Sequence, residues 1–179
     1  KSWITSAYVL WRLLLNPQLN ILVISASKNR ADDFSTFCLR LLEEMPLLFH
    51  LSPSDKQRTS KISFDVAPAL ASHQPSVKSL GITSQLTGSR ADLIIADDIE
   101  TSGNTQTQFM RDKLGEAIKE FEAIVKPEGS RIIFLGTPQT EQSIYNKLQE
   151  RGYKVRYWTA RYPSEKQIKS YGSNLAPII

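Results

Sequence analysis

The segment Ala91–Glu100, Ala-Asp-Leu-Ile-Ile-Ala-Asp-Asp-Ile-Glu, constrains this chain more than any other. Its apolar run is continuous rather than alternating, so both faces of the segment must be covered. A strand covered on both faces belongs in a parallel sheet with helices on either side. The run ends in the adjacent pair Asp97 and Asp98, with Glu100 just beyond. Carboxylates at the C-terminal tip of such a strand lie where open α/β sheets bind ligands. Acidic groups this close repel one another, so a cationic partner is expected.

Two more runs, Leu19–Ser25 and Arg131–Leu135, read as buried strands, and with 91–97 they are expected to be the most central. Lys61–Val66 alternates, which predicts a half-exposed strand, and Val77–Thr83 and Tyr153–Ala160 complete the set. Between them lie helical patterns at Trp3–Leu15, Asp32–Glu44, Thr105–Val125, Ser143–Arg151 and Ser164–Tyr171. Strands alternating with helices predict an α/β fold, a mostly parallel central sheet with helices on both faces. At 179 residues and 41% hydrophobic content, the chain suffices for one domain with a real core.

Composition narrows the options. A net charge of +4 permits nucleic-acid contact without requiring it. The single cysteine, Cys38, excludes an internal disulfide and falls on the apolar side of a helix, as a core residue would. His50 and His73 have no Cys or His at ligand spacing, which argues against zinc. No apolar run approaches the ~18 residues of a membrane span. The apolar start is broken by Arg12 and separated from Ser25-Ala26-Ser27 by Asn16, Pro17, Gln18 and Asn20, unlike a secretory leader.

The chemistry gathers around two places. Lys1-Ser2 runs directly into a helix, as the Lys-Ser/Thr end of a phosphate-binding loop does. Two residues carry little alone, but they complement the acidic strand. Together they suggest a nucleotide site in which Asp97 serves Mg²⁺, directly or through water, while Asp98 or Glu100 polarises an attacking water. If the strand persists, Asp98 and Glu100 share one face and Asp97 takes the other, so spacing does not choose between them.

Other candidates keep two readings each. Gly136-Thr137-Pro138-Gln139 follows a strand, and is either a plain turn or a tip whose Thr137 hydroxyl reports on a γ-phosphate. Arg90 is either surface charge or a guanidinium stabilising phosphate charge, in its own site or a neighbour's. Ser27-Lys28-Asn29-Arg30 reads as a helix entry, with phosphate contact as the alternative. Trp3, Trp11 and Trp158 are expected to pack in the core or between subunits rather than stack on bases.

In their order, Lys1-Ser2, Ile24–Lys28, Leu86–Asp92, Ile94–Glu100 and Leu135–Glu141 give the chain a specific likeness. It resembles the ATPase domain of the large terminase subunit of short-tailed double-stranded-DNA bacteriophages. The likeness covers nearly the whole chain, including Val77-Lys78-Ser79 and Leu175-Ala176-Pro177. It implies a P-loop NTPase-like fold of the additional-strand type, with ATP and Mg²⁺ as cofactors. It further implies a packaging motor that drives double-stranded DNA through the portal protein. Such a motor is fed by a small terminase subunit and assembles as a homo-oligomeric ring at the procapsid portal in the host cytoplasm.

By position, the resemblance puts Lys1 and Ser2 at the end of the phosphate loop, with Ser2 on the metal. It makes Asp97 the Mg²⁺ aspartate and Gly136-Thr137 the coupling motif. Asp98 stands where many relatives have the catalytic glutamate, which keeps Glu100 in play, and Arg90 becomes a candidate arginine finger. The resemblance also implies that residues 1–179 are a piece of the ATPase domain entered within the phosphate loop, without the family's C-terminal nuclease domain. Weak ATP binding and no DNA cutting are then expected of this piece. Two other readings fit the same residues: a helicase-like nucleic-acid-dependent ATPase, and a non-hydrolysing nucleic-acid-binding domain.

Overall fold

The computed structural model describes residues 1–177. Four strands, β1 (Ile21–Ser25), β3 (Val77–Gly81), β4 (Leu93–Asp97) and β5 (Arg131–Leu135), pair in parallel. The two-residue β2 (Ser63–Phe64) joins β3 antiparallel, and the sheet runs β2-β3-β1-β4-β5. Every residue of β1 and β4 is buried, as their continuous apolar runs require.

Alternating side chains turn each central run into two cores. Ile21, Val23, Leu93 and Ile95 pack with Val9, Leu10 and Leu13 of α1 (Ser2–Leu15) and Phe34, Cys38 and Leu42 of α2 (Lys28–Glu44). Leu22, Ile24, Ile94 and Ala96 pack on the other face. There they meet Leu114, Ile118 and Phe121 of α4 (Gln108–Ile124) and Ile144 and Leu148 of α5 (Ile144–Glu150). The sheet thus has helices on both faces, as the alternation of patterns predicts. Cys38 is fully buried, and burial pushes its thiol up to about 12. Gly81 is fixed by close approach: a Cβ there would lie 2.8 Å from the Lys28 backbone nitrogen. That lets α2 start against the tip of β3, with Ser27 capping it by accepting from the Arg30 N–H.

Four expectations are corrected. Arg131–Leu135 is an edge strand among the described residues, partly exposed along its length rather than central. Apolar content fixes whether a strand's faces are covered, not how many neighbours it has. The helix expected over Thr105–Val125 is α4, but it starts only at Gln108, because Thr107 caps it by accepting from the Met110 N–H and the short α3 (Ser102–Thr105) ends before it. Tyr153–Ala160 forms no strand; only Tyr157 pairs, in a single bridge to Leu175. Two backbone bonds, from the Tyr157 N–H to the Asn174 carbonyl and from the Ala176 N–H to the Tyr157 carbonyl, and the stacking of the Tyr157 ring on Tyr171 of α6 (Glu165–Tyr171) hold this segment. The tryptophans are not core residues: Trp3, Trp11 and Trp158 are 73%, 50% and 75% exposed. Trp3 meets Phe37 edge-on at 4.6 Å.

Candidate functional site

Parallel pairing sends the C-terminal ends of β1, β3, β4 and β5 to one edge, at Ser25, Gly81, Asp97 and Leu135. The first turn of α1 arrives at that edge. Lys1 Nζ donates to Asp98 Oδ1 at 2.6 Å and, more weakly, to Thr137 Oγ1 at 3.4 Å. Residues from the two ends of the sequence pattern therefore meet at one point. A cleft of about 390 Å³ opens beside them, lined by Ser2, Ser25, Arg30, Asp33, Asp97 and Asp98 among others.

Asp97 is the most unusual group in that cleft. It is only 7% exposed, and its Oδ1 is buried without a hydrogen-bond partner. Burial raises its pKa above the usual aspartate value, and the Asp98 charge raises it further. The Lys1 ammonium and the Ser2 hydroxyl offset part of this. A buried carboxylate oxygen left bare is costly unless a cation takes it. Carboxylate and hydroxyl oxygens are the hard donors Mg²⁺ prefers, so Asp97 and Ser2 fit that ion.

Asp98 behaves differently. β4 ends at Asp97, and Asp98 turns out of the strand with φ of 48°, in the left-handed region. Aspartate is among the few non-glycine residues that enter this region readily. That conformation is held by the Asp98 N–H, which donates to the Leu135 carbonyl at 2.8 Å, and by the Lys1 ion pair. Because the strand stops, the shared face expected for Asp98 and Glu100 does not exist. Glu100 turns inward and is 5% exposed. Its Oε2 accepts from the Ser143 hydroxyl at 2.7 Å and from the Ile144 N–H at 2.8 Å, at the start of α5.

Arg90 is not brought to this edge. Its guanidinium donates to the carbonyls of Ser89 and Ala123, beside the N-terminal end of β4. Arg90 lies seven positions before Asp97, on the order of 20 Å along an extended chain. Gly136 follows β5 at this edge, with the Tyr145 ring directly against it. Arg30, read from the sequence as a helix entry or a phosphate contact, lines the cleft; Asp33 does too and was not read as a site residue, although its position just after an apolar strand is the available signal. Ser143 and Tyr145 carried no sequence signal beyond helix capping.

No family model matches the chain. One curated relative does: the terminase large subunit of Enterobacteria phage T3 is 53% identical over 182 residues, covering the whole of this chain. The chain is similar to that terminase large subunit throughout its own length. It spans 31% of the length of the T3 protein. Because the terminase likeness runs through the whole chain, it includes every element that forms the cleft, from Lys1 at the start of α1 to Thr137 beyond β5. No helix among the described residues is long and apolar enough to cross a membrane.

Proposed function

We propose that this chain is ATPase-domain sequence of a phage terminase large subunit, with a P-loop NTPase-like site for ATP and Mg²⁺ at the C-terminal edge of the sheet. One observation carries the reading. A bare, buried Asp97 oxygen sits beside Ser2 at the start of α1, where Lys1 bridges Asp98 and Thr137.

In this reading Lys1 and Ser2 close a phosphate loop, and the N–H groups of the first turn of α1 face the phosphates. Bound Mg²⁺ would neutralise charge on the β- and γ-phosphate oxygens. Asp97 and Ser2 hold the ion. Lys1 exchanges its contact with Asp98 for phosphate oxygen, which frees the Asp98 carboxylate to orient the attacking water. Thr137 and Gly136 form the tip that registers whether the terminal phosphate is present. Arg90 acts only on a neighbouring subunit's site, since its own lies at the far end of the strand. Hydrolysis drives double-stranded DNA into the capsid through the portal protein. The small terminase subunit supplies the DNA, and the motor works as a ring in the host cytoplasm.

The test is ATP hydrolysis by the full protein that carries this segment. Asp97→Ala should abolish it, while wild-type hydrolysis requires Mg²⁺. Hydrolysis unchanged by Asp97→Ala would leave a nucleic-acid-binding domain as the reading. Duplex unwinding without portal or capsid would favour a helicase-like ATPase.

A further inference from the structure

The first turn of α5 touches both strand tips of the candidate site, yet none of its residues enters the cleft. On one side Glu100, three residues beyond Asp97, accepts from Ser143 Oγ and from the Ile144 N–H, and all three residues are buried. Ser143 in turn accepts from the Tyr145 N–H, so the carboxylate and the hydroxyl together cap α5. A charged acceptor holding two donors in a dry setting is a stiff connection.

On the other side the Tyr145 ring lies on Gly136. A Cβ at Gly136 would fall 2.0 Å from the ring's Cζ and hydroxyl oxygen, so the backbone there is in direct contact with the phenol. The Tyr145 hydroxyl also donates, at 3.4 Å, to the Leu135 carbonyl, the same oxygen that accepts from the Asp98 N–H. Leu135, Gly136, Asp98 and α5 therefore form one contact chain. Beyond its first turn, α5 is anchored by Leu148 in the core packed under α4.

Resting on the ATPase reading above, we propose that α5 is the element through which the Gly136–Thr137 tip delivers its position to the rest of the motor. In this role Tyr145 is the contact that moves, and Glu100 with Ser143 is the fixed pivot. These are positioning residues; none touches nucleotide. With no side chain on Gly136 between tip and phenol, the tip cannot shift towards α5 without displacing Tyr145. The Glu100 clamp keeps that displacement from dissipating as a slide of the whole helix away from β4.

The experiment measures two quantities on the full terminase with its packaging partners: ATP hydrolysed and base pairs of DNA translocated. Their ratio is insensitive to how much of the protein is folded, because both scale with active molecules. Tyr145→Leu, which keeps bulk but removes the flat contact and the hydroxyl, should lower base pairs per ATP about tenfold, within the usual range of coupling between sites. ATP hydrolysis per motor and its KM should stay within about threefold of wild type. Tyr145→Phe should retain most of the ratio, since the ring stays on Gly136. Ser143→Ala, which loosens the pivot, should fall between them.

An unchanged ratio in Tyr145→Leu overturns the proposal, as does a loss of translocation strictly proportional to a loss of hydrolysis. Asp97→Ala run in parallel separates the two levels. If that variant keeps hydrolysing, the nucleotide reading has failed. If it is dead while the Tyr145→Leu ratio is normal, only the role of α5 has failed.

Discussion

Two aspartates at opposite ends of β4 meet opposite fates. Asp92, just before the strand, is paired within the protein. Its Oδ2 accepts from the Asn20 N–H at 2.7 Å and from Lys126 Nζ at 2.8 Å, and Lys126 also holds the Asn20 side chain. That network ties the start of β1, the start of β4 and the segment after α4 into one knot. Asp97, at the other end, is more buried and has an oxygen with no partner at all. Its neighbour Asp98 holds a left-handed backbone. One end of the strand is resolved within the protein. The other keeps a buried carboxylate oxygen without a partner, a state that a bound cation can complete.

That contrast can be broken in four places. The largest effect should come from Asp97→Ala, which removes the proposed Mg²⁺ ligand. A loss of ~4 kcal/mol of transition-state stabilisation slows hydrolysis by about a thousandfold. Steady-state ATPase rates against Mg²⁺ concentration check this, and a rate within tenfold of wild type would make Asp97 merely a buried acid. Next, Asp98→Asn should cost roughly a hundredfold in kcat, near the size expected for one group acting on the proton of the nucleophile. Glu100→Gln should cost clearly less, because its carboxylate faces α5; the reverse order would move the water-orienting role to Glu100.

At the other end, Asp92→Ala should lower unfolding stability by about 2 kcal/mol, the size of lost charge-assisted hydrogen bonds. Hydrolysis per folded molecule should be unaffected. Urea unfolding, read beside activity normalised to folded protein, would reveal an unexpected catalytic share for Asp92. The smallest effect is the most diagnostic. Burial raises the Asp97 pKa in the folded state, so its protonated form is favoured by folding. The associated stability is present below the unfolded value of ~3.9 and is lost as pH rises through the folded value. Near neutral pH, Asp97→Asn should therefore raise the melting temperature of the metal-free protein, by roughly 2–4 °C for each kcal/mol recovered. The gain should vanish in acid. A variant that melts lower at pH 7.5 would mean that Asp97 is already satisfied without a metal.

The architecture was largely legible, and the failures have physical causes. The runs 21–25 and 93–97 are strands because their apolar residues must be buried on both faces. Arg131–Leu135 carries the same kind of run, yet sits at the edge. Tyr153–Ala160 has strand-like alternation but no ladder to join. The break before α4 was readable from Thr107, whose hydroxyl caps the new helix. In the candidate site, Lys1, Ser2, Asp97, Asp98 and Thr137 were legible as types and spacings. Arg30 was legible only as one of two readings, and Asp33 and Tyr145 were not legible, because nothing local distinguishes them from surface or helix residues. Glu100 and Arg90 were read as site candidates because they are close in sequence to the acidic tip. One turns inward and the other lies at the far end of the strand.

By itself, then, the sequence determined the α/β alternation, the acid-tipped central strand and the capping residues that start its helices. These depend on residues a few positions apart, where side-chain direction repeats with backbone geometry. Only the tertiary structure decided that Lys1 meets Asp98 and Thr137, that Glu100 braces α5, and that one Asp97 oxygen stays bare. Those outcomes arise between segments brought together by parallel crossover connections. There, pairing is set by the sheet's strand order and by competition among buried polar groups for too few partners.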